Sequence, residues 1–189
     1  GTAKLAHIEP KAKAASRPAI TVAAAQNLVG DVEFFCVRGA RAFDMHLVFP
    51  EINSLQTAVR HVAHEYLGMA EDYGYSPDVC GYVKADVAMQ LQGGKHSMGR
   101  LPKPALALAT NACNTYVKWA EFWERYYKIP MVTLDIPGSR TAAGGAAPGT
   151  DAFESDRRYL EIQLRELIAE CERITGTRLD MDRLRDVLD

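Results

Sequence analysis

Short apolar runs alternate along the chain with longer stretches in which apolar residues recur at helical spacing. Four runs have the length and composition of strands: VEFFCV (32–37), MHLVFP (45–50), ALALAT (105–110) and PMVTLDIP (130–137). Helical spacing extends over residues 53–74, 81–90, 114–128 and 151–176, and a last helix begins at residue 180. Strands that alternate with helices predict an α/β fold of three layers, in which helices cover a mostly parallel sheet.

This pattern divides the chain into three regions. Residues 1–30 are rich in Ala and Lys and are expected to form a loosely ordered segment, whose start at Gly1 suggests a processed end. Residues 31–140 form the predicted α/β domain, which carries Cys80 and Cys113. Residues 141–189 form a connector and helices, and we expect the last helix to lead into a second domain that this chain lacks.

Composition narrows the class of protein. The 189 residues are 48% hydrophobic and 24% charged, as in ordinary globular proteins, and the net charge is −2. We therefore expect no nucleic-acid partner and no membrane partner. Because no long apolar segment and no signal peptide are visible, we expect a cytoplasmic protein whose four cysteines form no disulfide framework.

Two cysteines occupy matching positions at loop-to-helix junctions: Cys80 in DVCGYVKAD and Cys113 in TNACNTYVKW. Cys113 follows the run ALALAT by three residues, so it belongs at the carboxyl edge of the predicted sheet, where ligands bind, and Cys80 could reach the same edge. A helix N-terminus stabilises a thiolate, which suits a nucleophile, a redox thiol or a metal ligand. The alternatives are two unrelated buried thiols, and a redox pair whose Cα atoms lie within about 7 Å of each other.

Structural roles are expected for the remaining candidates. Cys171 has the pattern of a buried filler within a helix, and Cys36 that of a strand residue. His61 and His64 are expected on a helix surface. The loop over residues 92–104 contains QGGKHSMGR but lacks the order of a phosphate-binding P-loop. Four aromatic residues predict a core or interface face of one helix: Trp119, Trp123, Tyr126 and Tyr127.

Several longer motifs occur together between about residue 47 and the end of the chain. They are FPE before the first long helix, GYSPD.C.Y at Cys80, PKP before the run ALALAT, N.C followed by W after it, and P...LD.P at the next strand. Together they resemble the benzoyl-CoA reductase/2-hydroxyacyl-CoA dehydratase family. The residues around CGYVKAD and NACNTYVKWAE are more similar to reductase-type subunits than to the dehydratases.

The resemblance implies an iron–sulfur subunit. Subunits of this family hold a [4Fe–4S] cluster through three cysteines, pair with a homologous second subunit, and receive low-potential electrons from an ATP-dependent iron–sulfur activator. They act on acyl-CoA thioesters in anaerobic metabolism. The first two cysteine ligands of the family match Cys80 and Cys113, whereas the third belongs to the second domain. The chain by itself is therefore expected to be incomplete and inactive.

Five further residues are predicted to contact the cluster ligands or the substrate, because they lie near the two cysteines or follow a strand end: Tyr82, Lys84, Asn111, Asn114 and Ser139. Helix-capping and helix-surface roles remain open for them. Two alternatives to a reductase also remain. One is a dehydratase subunit that eliminates water from 2-hydroxyacyl-CoA, and the other is a cluster-free fragment that serves only in assembly.

Overall fold

A computed structural model describes residues 19–23, 39, 42–96, 99–111, 113–137 and 146–188, with the backbone alone for 19–23, 187 and 188. The strands are β1 (Ala19–Ala23), β2 (His46–Val48), β3 (Lys95–His96), β4 (Gly99–Arg100), β5 (Leu106–Thr110) and β6 (Met131–Leu134). The helices are α1 (Pro50–Val59), α2 (Ala63–Asp72), α3 (Gly81–Leu91), α4 (Asn114–Tyr127), α5 (Asp151–Thr175) and α6 (Met181–Leu188).

Four strands form a parallel sheet in the order β2-β1-β5-β6. Strand β5 lies inside this sheet, with Leu106 opposite Ile20 and Leu108 opposite Val132. All five residues of β5 are buried, as expected for a continuous apolar run in a sheet that is covered on both faces. Strands β3 and β4 form a separate antiparallel pair within the predicted loop over residues 92–104.

Helices cover both faces of the sheet, which confirms the predicted α/β fold. Leu106 and Leu108 of β5 pack with Leu167 and Cys171 of α5. The alternate β5 residues point to the opposite face and pack in one apolar cluster with α3 and α4, whose members include Ala107, Ala109, Val83, Val87, Trp119 and Trp123. The two cysteine-bearing junctions therefore begin helices that share one face of the sheet.

Two elements differ from the prediction. The helix expected over residues 53–74 is divided into α1 and α2, because His61 adopts a left-handed conformation with φ of 59°. Helix α1 begins at Pro50, a favoured residue for the first helical position. Strand β1 was not predicted, since it lies within the segment expected to be loosely ordered. The predicted strand over residues 32–37, including Cys36, lies outside the described residues.

Among the helices that the structure describes, none has the length and apolarity needed to cross a bilayer. The longest, α5, begins at an N-cap threonine: the Thr150 hydroxyl accepts a hydrogen bond from the Phe153 N–H, and Gly176 ends the helix in a left-handed conformation. Gln163 of α5 joins the helix to the end of β6, since it accepts a hydrogen bond from the Asp135 N–H at 2.6 Å and donates to the Asp135 carbonyl at 3.0 Å.

Candidate functional site

The two predicted ligand cysteines begin two helices on the same face of the sheet. Cys80 is the N-cap residue of α3, and Cys113 is the N-cap residue of α4. Both thiols are free and exposed, and neither side chain caps its own helix. The capping role left open for Asn114 does not apply to α4, because Asn114 is the first helical residue and Cys113 takes the cap position.

A buried tyrosine lies in the first turn of α4. The Tyr116 hydroxyl donates a hydrogen bond to Glu51 of α1 over 3.4 Å. Burial raises the pKa of the Tyr116 phenol, and negative charge on Glu51, Cys113 and Cys80 raises that pKa further. Burial also raises the pKa of Glu51, although the hydrogen bond from Tyr116 opposes this shift. Glu51 of α1 and the cysteines at the starts of α3 and α4 thus share in the electrostatic environment of one phenol.

Glu51 and Tyr116 are site residues that the sequence interpretation did not single out. Glu51 is the acidic residue of the FPE motif, and Tyr116 follows Cys113 by three residues. The motif marked Glu51 only as a sign of family membership. The signal for Tyr116 is its helical spacing from the cysteine, which places its side chain over the first turn of α4.

An apolar pocket of about 310 Å³ opens beside Cys80. Its walls come from the first turn of α3 and from helices α1 and α2, and they are formed by Ser54, Thr57, Ala58, Ala63, Leu67, Cys80, Gly81, Tyr82 and Ala85. The two aliphatic hydroxyls in these walls are already engaged: Ser54 donates to the Tyr82 carbonyl at 2.8 Å, and Thr57 donates to the Ser54 carbonyl at 2.6 Å. The pocket therefore presents mainly carbon to a ligand.

Lys84 fixes the loop that leads to Cys80. Its side chain is buried, with 4% of the residue exposed, and its ammonium group donates to Glu71 at 2.7 Å and to the Pro77 carbonyl at 2.9 Å. These bonds connect α3 to the end of α2 and to the turn before Cys80. Tyr82, by contrast, is 40% exposed and lines the pocket beside the cysteine.

Asn111 joins the carboxyl ends of β5 and β6. Its amide nitrogen donates to the Asp135 carboxylate and to the Ile136 carbonyl, and its amide oxygen accepts from the Ile136 N–H at 2.9 Å. Asp135 also accepts a hydrogen bond from the Tyr159 hydroxyl at 2.7 Å. The side chain of Asn111 thus stabilises the edge of the sheet from which the chain continues to Cys113. Ser139 lies outside the described residues.

A buried carboxylate connects α3 to α4 beneath the cysteines. Asp86 is 0% exposed, and its Oδ2 atom accepts hydrogen bonds from the indoles of Trp119 at 2.7 Å and Trp123 at 2.8 Å. Its Oδ1 atom accepts from the Gln90 amide at 2.9 Å. Burial raises the pKa of Asp86, although these three hydrogen bonds oppose the shift. We call the group of Asp86, Gln90, Trp119 and Trp123 the Asp86 clamp.

A family model described as 2-hydroxyglutaryl-CoA dehydratase, D-component, matches residues 34–189. This chain belongs to that family. A benzoyl-CoA reductase subunit of Thauera aromatica is 37% identical over 150 residues, which cover 77% of this chain and 33% of that protein. The (R)-phenyllactyl-CoA dehydratase alpha subunit of Clostridium sporogenes is 30% identical over 152 residues, which cover 79% of this chain and 35% of that protein.

Family membership confirms the resemblance that the motifs indicated. The alpha subunit of lactoyl-CoA dehydratase from Anaerotignum propionicum is a further relative, 25% identical over 169 residues. The family thus contains both reductase and dehydratase subunits. The chain spans about a third of the length of the curated relatives it matches.

The donor set of the site is compatible with part of an iron–sulfur centre. Exposed thiols without intrahelical partners at helix N-termini are suitable ligands, since thiolates bind iron and nearby backbone N–H groups stabilise negative charge on sulfur. Within the described residues, no three or more His, Cys, Asp or Glu side chains are grouped so as to hold a metal ion. At this site, the described residues thus offer two thiols to an iron–sulfur centre, those of Cys80 and Cys113.

Proposed function

We propose that this chain is the N-terminal part of an iron–sulfur subunit of the benzoyl-CoA reductase type. Cys80 and Cys113 bind iron atoms of one [4Fe–4S] cluster, and a third ligand comes from outside the described residues. The observation that carries this proposal is the placement of two exposed thiols at adjacent helix N-termini on one face of the sheet. Neither thiol makes a capping hydrogen bond to its own helix. When bound, such a cluster transfers single electrons at low potential.

The apolar pocket beside Cys80 is proposed to hold the acyl group of an acyl-CoA thioester. Its volume of about 310 Å³ lies at the lower end of the range for small-molecule sites. An apolar cavity of roughly half that volume accommodates benzene in another protein. The pocket therefore has room for an aryl or branched alkyl group next to Cys80, and Tyr82 forms one wall of it.

Dehydration of a 2-hydroxyacyl-CoA is the second candidate reaction. It is supported by the relatives named as dehydratase alpha subunits, one of them 30% identical to this chain. The reductase is preferred because the benzoyl-CoA reductase relative is 37% identical over a segment of similar length. Both reactions use the same proposed ligands, Cys80 and Cys113.

We further propose that the chain works in the cytoplasm with a homologous second subunit and an ATP-dependent iron–sulfur activator. The relatives are named as single subunits of larger enzymes, which supports a partner subunit. The activator is what the resemblance to the family implies, since such a protein would supply single electrons at the low potential that reduction of the acyl group needs. Proposed contacts of Asn114 and Ser139 with the cluster or the substrate belong to this same hypothesis.

Substitution of either ligand cysteine is expected to abolish cluster binding. The chain is purified anaerobically and reconstituted with iron and sulfide, and iron, acid-labile sulfide and visible absorption are measured. Excess dithiothreitol is present to supply the third thiolate, which this chain is expected to lack. We expect the wild type then to hold iron and absorb broadly, and Cys80→Ala and Cys113→Ala to lose both properties because each removes a thiolate ligand. Cys171→Ala is the matched control, since Cys171 is a buried cysteine within α5.

Two results would contradict the cluster. A folded wild-type chain that stays colourless and free of iron after reconstitution would support the cluster-free assembly fragment. Iron content that is unchanged in both Cys80→Ala and Cys113→Ala would mean that other residues bind it.

A bulky residue in the apolar pocket is expected to weaken acyl-CoA binding. Ala58 lines the pocket from α1, so Ala58→Trp places an indole in the space proposed for the acyl group. We expect the Kd for benzoyl-CoA, measured by calorimetry, to rise at least about tenfold. Leu55→Trp is the control, because Leu55 lies on the same helix, is 43% exposed and does not line the pocket. Equal affinities of the two variants would place the acyl group elsewhere.

A further inference from the structure

The two cysteine-bearing helices are paired side by side. Asp86 of α3 bonds Trp119 and Trp123 of α4 at separations of 33 and 37 residues, and Gln90 bonds Tyr127 at a separation of 37. One turn forward along α3, from Asp86 to Gln90, moves the bonded partner one turn forward along α4, so the two helices run in the same direction. Cys80 and Cys113 are also separated by 33 residues (113 minus 80).

The cysteines are therefore at the same level of the pair of helices to within about one turn, because their offset matches that of the Asp86–Trp119 bond and is four residues less than that of the Asp86–Trp123 bond. Asp86 lies six residues beyond Cys80 (86 minus 80), and Trp119 lies six residues beyond Cys113 (119 minus 113). At a rise of 1.5 Å per residue, each cysteine is about 9 Å along its helix from the Asp86–Trp119 bond. Extending the observed pairing toward the N-termini by this distance brings Cys80 opposite Cys113.

Hydrogen bonds, rather than apolar packing, fix the axial position of α3 relative to α4. The backbones of α3 and α4 approach each other closely at few points, so long side chains make most of the contact between them. Apolar packing tolerates small sliding movements. In contrast, Trp119 and Trp123 lie one turn apart and donate to the same oxygen of Asp86 at 2.7 and 2.8 Å. A slide of one residue, about 1.5 Å, would carry at least one indole out of hydrogen-bonding distance.

The outer part of the network extends the same register. The Tyr127 hydroxyl donates to the Gln90 side-chain oxygen at 2.5 Å, while the Gln90 amide donates to Asp86. The polar side-chain groups of this network thus satisfy one another, and any change of level would leave donors unpaired in the core. The two indole rings also pack together, with centroids 5.5 Å apart.

We propose that Asp86 is a positioning residue: through its bonds to Trp119 and Trp123, it holds the sulfur atoms of Cys80 and Cys113 at the separation at which both bind one ligand. The relevance of that separation to a cluster rests on the proposed function. The register of α3 against α4 is a property of the chain itself, and it can be measured without iron.

The test measures the separation of the two thiols in solution by cross-linking. The 189-residue chain carries Cys36→Ser and Cys171→Ala, so that Cys80 and Cys113 are its only thiols. It is treated with bifunctional methanethiosulfonates of increasing spacer length, and the yield of the intramolecular cross-link is measured by intact mass. We expect one narrow range of spacer lengths to be preferred.

Two substitutions of Asp86 separate positioning from packing. Asp86→Asn keeps the volume and one acceptor oxygen for both indoles, and a flip of the Gln90 amide restores the remaining bond, so we expect the same spacer preference. Asp86→Leu keeps a similar volume but removes every acceptor. The folded fraction of this variant is identified by circular dichroism. In it, we expect the ratio of the cross-link yield with the best spacer to the yield with other spacers to fall about tenfold. A change of that size corresponds to the loss of one buried charge-assisted hydrogen bond.

Each outcome decides the proposal. An unchanged spacer preference in folded Asp86→Leu, or no cross-link at any spacer length in the parent, would overturn it. If Asp86→Leu does not fold, Trp119→Phe and Trp123→Phe each remove one indole donor and keep an aromatic ring, and the same loss of preference is expected. An iron-free chain with a sharp cross-linking pattern would reject the cluster but retain the positioning role. Iron binding together with an unchanged cross-linking pattern in the Asp86 variants would support the cluster but reject the positioning role of Asp86.

Discussion

Asp86→Ala is expected to lower the free energy of unfolding by about 3 kcal/mol or more. The substitution leaves the indole N–H groups of Trp119 and Trp123 and the Gln90 amide without their acceptor in the core, and each unpaired buried donor costs about 1–3 kcal/mol. The smaller side chain also leaves a cavity. Relief from burying a carboxylate offsets part of the loss, since burial already raises the pKa of Asp86.

The measurement is urea unfolding followed by circular dichroism and tryptophan fluorescence, with the slope of the transition checked for constancy between variants. Asp86→Asn is the matched control. It is expected to stay within about 1 kcal/mol of the wild type, because the amide oxygen still accepts both indoles. If Asp86→Ala and Asp86→Asn unfold at the same urea concentration, the hydrogen bonds of the Asp86 clamp do not contribute to stability.

The sequence predicted strands best where burial is most complete. The run ALALAT is apolar at nearly every position because β5 is covered on both faces. It could therefore be identified as a buried strand without an alternation of apolar and polar residues and without knowledge of the neighbouring strands. Strand β1 has a similar composition, AITVA, and Pro18 precedes it, but the Ala-rich residues that follow do not mark where it ends. Its place beside β5 depends on pairing with residues more than eighty positions away, which local patterns do not reveal.

The division between α1 and α2 shows how apolar spacing can mislead. Leu55 and Val59 continued the helical pattern, yet they are 43% and 62% exposed, whereas Ser54 and Thr57 are buried. Those two hydroxyls are buried at low cost because each donates to a backbone carbonyl. No Gly or Pro marks the break at His61, so the residue types gave no sign of it.

The candidate site could be located from the sequence, but its supports could not. Helix starts after turns and strands are local features, so Cys80 and Cys113 could be placed at matching junctions. Lys84 was predicted to contact ligands, whereas its buried ammonium group joins Glu71 to the turn before Cys80. An aspartate within a helix ordinarily faces water, and the donors that make Asp86 stable in the core lie 33 and 37 residues farther along the chain.

Cys171 is expected to react with thiol reagents at least about a thousandfold more slowly than an ordinary exposed cysteine at pH 8. Burial raises its pKa to about 12, and negative charge on Glu170 adds to the shift. A free cysteine with a pKa near 8.5 is about a quarter ionised at that pH, whereas a thiol with a pKa near 12 is ionised in about one molecule in ten thousand. Because only the thiolate reacts, the low ionisation of Cys171 and its 4% exposure together slow the reaction.

The measurement is a timed pulse of iodoacetamide on the native chain, followed by unfolding, labelling of the remaining thiols with a second reagent, and peptide mass mapping. Cys80 and Cys113 are expected to be labelled in the native pulse, since both are exposed. A chain unfolded before the pulse is the control, in which all the cysteines should react. The protection of Cys171 reports packing of α5 on the sheet through Leu106 and Leu108. Rapid native labelling of Cys171 would therefore mean that α5 leaves the sheet often, and protection of Cys80 and Cys113 would mean that their junctions are covered in solution.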